Sequence, residues 1–408
     1  MATKGSSRVR RALVSSLVLL CVAVVLALSN AYSQNRDRRL ALGPSGEDQH
    51  AFFVDAVGRP DIPVFFKRLT PAQKLTVARN LERYDDPAIV RLAVIWLADF
   101  DADARAELTR VVSRLAASQA DAVVGELKNP GGFQKLAVFQ ALDTQGASVL
   151  PRVVAALDKP ELRANAGEYI ANRGQGAGEL LLAHFPGADK DTKLAVADAL
   201  GKIGYKPAGP VLLAAYRGAS GPDKAAYLAA IANLGWTPAE GLLSGIADDP
   251  AASHADRSTA TLGLGRIATT SAVAALAAHA VHDVSLRADA IGALQLAGDR
   301  SLASPLLPPD VRLEVAAGIR SGTADGVIRS SLSGPLALEA AKAALGRPGL
   351  VPDLASRLVG LDAGTQGRLV AGLVDALRST PAGVRRLDGL RGRPYLAGFI
   401  LRAEARGR

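Results

Sequence analysis

The sequence predicts an all-α fold, an α-solenoid of stacked antiparallel helix pairs that follows an N-terminal export or anchor segment. Three observations carry that prediction. The block Ala199-Leu200-Gly201-Lys202-Ile203-Gly204 returns as Ala230-Ile231-Ala232-Asn233-Leu234-Gly235 and as Ala293-Leu294-Gln295-Leu296-Ala297-Gly298, with fainter copies ending at Gly146 and Gly174. Those glycines are 28, 30, 31 and 63 residues apart, and the longest gap holds a degenerate copy, Gly263-Leu264-Gly265-Arg266-Ile267-Ala268. A period of about 30 residues is that of stacked helix pairs. Hydrophobic residues make up 49% of the chain and aromatic residues 4%, so the core is built from Ala, Leu and Val, whose small side chains let helices approach closely.

The amino end reads as an export signal. Lys4, Arg8, Arg10 and Arg11 precede an uncharged run from Ala12 to Leu28 that breaks at Ser29-Asn30. Ser29 and Ala31 are the small residues of a cleavage site after Ala31. The run also reaches the length of roughly 17 residues needed to span a bilayer, so a retained transmembrane anchor at 12–28 is the alternative. Either way the positive-inside rule sends the carboxyl side out of the cytoplasm, to the periplasm or cell envelope. The one cysteine, Cys21, lies inside the apolar run, and the chain beyond it has no disulfide, thiol catalysis or thiolate metal site to offer.

Gln34 to His50 is polar and charged, and reads as a linker within a 32–69 segment of linker and cap. Helical punctuation begins at Thr70-Pro71-Ala72-Gln73, a capping box with proline in the first turn. The same grammar recurs at Thr237-Pro238-Ala239-Glu240 and, more loosely, at Asp158-Lys159-Pro160-Glu161. In one clear unit, Val196, Leu200 and Ile203 share a helix face, Gly204 ends the helix, Pro207 and Pro210 bracket the next start, and Val211, Leu212 and Ala215 face back. Tyr227, Ile231, Leu234, Gly235, Leu242, Leu243 and Ile246 repeat the pattern. Helices of about 12 residues are marginal alone, so packing on neighbouring pairs must hold them. About eleven pairs follow residue 70 by this phasing. The predicted solenoid runs over 70–378, with a basic cap at 379–408.

The stretch Lys193-Leu194-Ala195-Val196-Ala197-Asp198-Ala199-Leu200-Gly201-Lys202-Ile203-Gly204, followed by Ala208 and an apolar second helix, resembles the HEAT-repeat family, specifically the short bacterial HEAT-like repeats of phycobilisome-lyase type. The resemblance is good over residues 133–304. Acidic and arginine positions at the starts of the first helices are spaced irregularly. The resemblance implies a protein-binding superhelix and does not name a ligand. The iron-dependent hydroxylases of this architecture carry His-Glu pairs, and this chain has no His-Glu dipeptide. The bilin lyases act in the cytoplasm, which fits an export signal poorly.

Charge argues against nucleic acid. Residues 1–39 carry seven Lys/Arg and one Asp, and residues 368–408 carry nine Arg and three acids, so of the formal +9 the body from 40 to 367 holds −3. A near-neutral body poor in aromatics offers no phosphate-tracking groove.

Local motifs give little chemistry. His279 and His282 stand at i, i+3 beside Asp283, and His254 lies near Asp256; these read as surface histidines at helix ends rather than metal ligands. Gly174-Gln175-Gly176-Ala177-Gly178 lacks the strand and Lys-Ser/Thr of a phosphate loop and reads as a turn. Asp248-Asp249 sits beside Pro250 in an expected loop. No cofactor, metal or catalytic residue is expected.

Two constellations are candidates for partner binding. Tyr205 and Trp236 each follow a turn glycine, so stacking sets them about 10 Å apart on one ridge, where aromatics serve as anchors; the alternative is that each ring covers the gap between adjacent pairs. Arg385, Arg386, Arg391 and Arg393 are interleaved with Leu387, Leu390 and Tyr395, which suits either a membrane-surface contact through anionic head groups or a solvated cap on the last repeat. The functional expectation is an exported, non-catalytic protein-binding scaffold with an unknown protein partner. The alternatives are an enzyme accessory or lyase-like protein that holds a substrate protein, and a structural envelope component.

Overall fold

The computed structural model describes residues 32–378, apart from 60, 61, 130 and 360–362, together with 388, 389, 392, 397, 398, 400 and 401. The leader and its apolar run, 12–28, lie outside the described residues. Among the described residues there are helices and no strands, and no helix is long and apolar enough to cross a membrane. The chain is an α-solenoid of stacked helix pairs. It divides into two compact units, Met1–Ala199 and Leu200–Arg408. Among the described residues ten pairs run from Pro71 to Val359, and Ala363–Arg378 opens another.

In the first unit the stretch expected to be a linker is helical, over 32–42 and Glu47–Ala56. Its two buried polar residues, Asp37 and Gln49, are the reason: they bond inward rather than to solvent. The Gln49 amide donates to the carbonyls of Leu40 and Gly43 at 2.8 and 3.0 Å, Asn80 donates to Ala41 O at 2.9 Å, and the buried Asp37 accepts both guanidinium nitrogens of Arg59. Most of the chain's few large rings gather here, with Trp96 stacked on Phe100 at 5.6 Å and edge-on to Phe53. Thr70 and Gln73 form the capping box reciprocally at the start of Pro71–Leu81. The two related starts differ. Asp158 bonds His184 Nε2 at 2.9 Å and leaves Lys159 at the cap of Pro160–Ala171. Thr237 opens a 3₁₀ turn, Thr237–Ala239, and caps nothing, because the left-handed Gly235 shifts the extended entry residue to Trp236.

In the second unit, first helices pack on first helices, Gly221–Leu234 on His254–Ile267 on Arg287–Ala297 on Pro309–Gly318. Glycine makes that approach close: a Cβ at Gly201 would stand 2.7 Å from Ala230 O, and one at Gly263 would stand 2.8 Å from the Cβ of Ala232. Val196, at the end of the first unit, and Leu200, Ile203, Leu212, Tyr227, Ile231, Leu234 and Leu243 in the second are buried as the periodicity predicts, whereas Val211, Ala215, Leu242 and Ile246 are half-buried.

All five repeat glycines adopt positive φ, from 58° at Gly146 to 66° at Gly298. At Gly204 the reversal is a Schellman turn, with Tyr205 N–H bonding Leu200 O and Gly204 N–H bonding Gly201 O, both at 3.1 Å. In the degenerate repeat the same position falls to Ala268, the one non-glycine with positive φ among the described residues, at 52°.

The irregularly spaced arginines share one task. Arg105, Arg163, Arg257, Arg287 and Arg312, each in the first turns of a helix, reach back to carbonyls at or just beyond the end of the preceding helix: Leu97 and Phe100, Leu157, Ala247, Ala280, and Ser304. Such terminal carbonyls have no intrahelical donor, and the cation also meets the negative end of the helix dipole. The buried Arg347 does the same for Ala316 and Ile319 while pairing with Asp325.

Candidate functional site

The inter-helix turns of the second unit form the ridge on which Tyr205 and Trp236 lie. Both are half-buried. The indole of Trp236 lies directly against Gly209, the first residue of the second helix of the preceding repeat, and a Cβ there would overlap the six-membered ring. Its ring thus covers a seam between repeats while part of it remains at the surface. Arg385, Arg386, Arg391 and Arg393 lie outside the described residues.

One repeat further on, the ridge opens into a cleft of about 780 Å³. One wall is the face of Thr270, Val273 and Ala274, together with Ala268 and Thr269 at the turn. The other is Arg300, Ala303, Ser304, Pro305 and Leu306. The cleft follows from a short helix. The second helices before and after it have 13 residues, Thr270–His282, and 10, Gly322–Ser331, but Asp299–Leu302 has four. Pro305 explains the stop, since Ser304 before it is pushed out of the helical region and a proline there has no N–H to continue the ladder. Leu307 turns inward and is buried, while Leu306 stays 59% exposed at the mouth.

The polar groups of the ridge divide by sign. Glu240 accepts from Thr269 Oγ1 at 2.8 Å and from the Ser271 hydroxyl, and Asp299 accepts from Ser321 at 2.5 Å and Thr323 at 3.1 Å. Lys206, Arg266 and Arg300 are exposed and make no hydrogen bond or ion pair among the described residues. The repeat periodicity alone does not reveal this cleft. Its signal was the Ser304-Pro305 interruption, about ten residues before the periodicity allows a second helix to end.

The histidines form no ligand set. His279 Nε2 lies 3.2 Å from Asp248 and its Nδ1 lies 4.0 Å from Asp283, whereas His282 and His254 are exposed. Asp248 closes the helix Glu240–Asp248 rather than sitting in a loop. Asp283 accepts from the Ser285 hydroxyl at 2.6 Å, from Arg257 at 2.5 Å and from the Leu286 N–H at 3.2 Å, and these bonds, Ser285 foremost, hold its carboxyl down at about 2. Asp256 belongs to the Ser253 cap. Among the described residues no three His, Cys, Asp or Glu side chains converge on a metal position. Gly174–Ala177 is a 3₁₀ turn between paired helices, as its sequence suggests.

No protein-family model matches the chain, and comparison with curated protein sequences gives no match. Among solved structures, human deoxyhypusine hydroxylase in complex with glycerol aligns over 66% of this chain and 98% of its own, at 14% identity and a TM-score of 0.19. Kap121p bound to Nup53p aligns over 88% of this chain at 12% identity and a TM-score of 0.35, and the chain spans 45% of its length. A structure describing a phosphorylation switch in the interaction between cadherin and β-catenin aligns over 92% of this chain and 96% of its own, at 13% identity and a TM-score of 0.26. The chain is a helical-repeat protein, and its own helix pairs establish that architecture.

Proposed function

We propose that the protein is a non-catalytic, protein-binding scaffold of the HEAT-like kind, exported from the cytoplasm by its amino-terminal segment. The observation that carries the reading is the ridge of the second unit. There a half-buried tryptophan, three unpaired cations and an apolar-walled cleft lie at the surface, whereas Arg257 and Arg287, further along the same unit, are tied to helix-end carbonyls. Aromatic and arginine side chains beside an apolar pocket are the composition of binding anchors. The basic, apolar-interleaved carboxyl end supports an added contact with anionic membrane surface.

The test is affinity capture of the carboxyl-tagged full chain from crosslinked envelopes of the cells that make it, with mass spectrometry reading the copurified proteins and the bait's first residue. One stoichiometric protein partner is the expected result, and a first residue just after Ala31 marks a cleaved signal. Recovery of lipid or a small metabolite alone overturns the scaffold reading.

A further inference from the structure

Resting on that reading, we infer that the cleft between Thr270–Ala274 and Arg300–Leu306 is a docking site for an acidic amphipathic segment of a protein partner, one that presents an apolar side chain flanked by a carboxylate. Its walls are Val273, Ala274, Ala303, Pro305 and Leu306, which gives the occupant an apolar contact. The volume, about 780 Å³, falls within the roughly 300–1,000 Å³ of ligand pockets, so a few side chains of a peptide segment fit.

Charge selects the occupant. Arg300 lies on the cleft wall, exposed, with no carboxylate bonded to it, and Arg266 and Lys206 are similarly free along the same ridge. The ridge's own acids, Glu240 and Asp299, accept from hydroxyls on neighbouring turns and bond none of the three cations. A guanidinium held beside apolar surface pairs most strongly with a carboxylate, bidentately where the geometry allows. The chain's own carboxyl-terminal segment is the poorer occupant: between 385 and 408 it carries seven arginines and two acids, and it would set like charge against Arg300. A phosphate-rich ligand is disfavoured by the single guanidinium in the cleft and the mainly apolar walls.

Both key side chains are exposed, so changing them tests the site without removing core. A photo-crosslinking amino acid at position 306 of the full chain, activated in the producing cells, is expected to join one protein at a segment where Asp or Glu flanks Leu, Ile, Val or Phe. Adding Arg300→Glu is expected to reduce that product at least tenfold, with helical circular dichroism unchanged, and Arg300→Lys to retain most of it. Crosslinks to residues 379–408, to lipid, to a basic segment, or to nothing overturn the inference, as does a product indifferent to Arg300→Glu. The two readings fail separately: a stoichiometric partner captured by the full chain and equally by Leu306→Asp leaves the scaffold standing and removes the cleft.

Discussion

Replacing Gly265 by alanine tests whether glycine, and nothing else, sets the spacing between first helices. Gly265 lies in His254–Ile267, and a Cβ there would stand 2.7 Å from Ala293 Cα and 2.8 Å from its carbonyl carbon, closer still to its oxygen. Carbon atoms in contact rest about 3.5–4.0 Å apart, so the helices must separate by about 1 Å. Backbone cannot rotate aside as a side chain can, which puts the penalty near the upper end of the roughly 1–3 kcal/mol for overpacking. Alanine returns about 1 kcal/mol of helix propensity, leaving a net loss of about 2 kcal/mol. Gly292, in the facing helix Arg287–Ala297, has nothing within 4 Å of its Cβ direction, so the identical change there should stabilise by about 1 kcal/mol. A solenoid need not unfold in one step, so the assay is amide hydrogen exchange resolved by peptide, alongside urea unfolding of the full chain. Exchange in His254–Ile267 should accelerate about 30-fold in Gly265→Ala, and exchange in Arg287–Ala297 should slow in Gly292→Ala. Equal stabilisation by both variants would refute the close packing.

Three further outcomes are expected. Leu200→Ala, at a position of zero exposure, should lose about 2–5 kcal/mol in urea unfolding. Asp283 has its carboxyl lowered to about 2, so its contribution is present above the usual carboxylate range and lost as pH falls through about 2; melting temperatures of wild type and Asp283→Asn should differ at pH 7 and converge near pH 2. Tyr169, buried with an unpartnered hydroxyl and pushed by burial up to about 12, favours the fold fully below about pH 10 and less as pH rises toward 12. Tyr169→Phe should therefore raise stability by about 1 kcal/mol at pH 7 and lessen that alkaline loss, read by melting temperature with ultraviolet titration of the phenol.

The sequence by itself determined the helix pairs, their period and their buried faces, because these are local. A left-handed turn favours glycine, so Gly146, Gly174, Gly204, Gly235 and Gly298 mark the reversals they make, Ala268 being the one such turn without it among the described residues, and a 3.6-residue apolar stripe marks Leu200 and Ile231 as core. Locality also set its limit. Gln34–His50 reads as a linker because the partners of Asp37 and Gln49, the Arg59 guanidinium and the carbonyls of Leu40 and Gly43, are brought near only by folding, and the arginines read as irregular because each is placed by the end of the preceding helix, whose distance along the chain varies. The ridge was legible in part: Trp236 could be placed at a turn, but its seat on Gly209 depends on how two repeats meet. Of the cleft the sequence carries only the Ser304-Pro305 break, and the cavity itself belongs to tertiary structure. A helix cut short at Leu302 becomes a cavity only because the helices on either side keep their full length and hold the gap open.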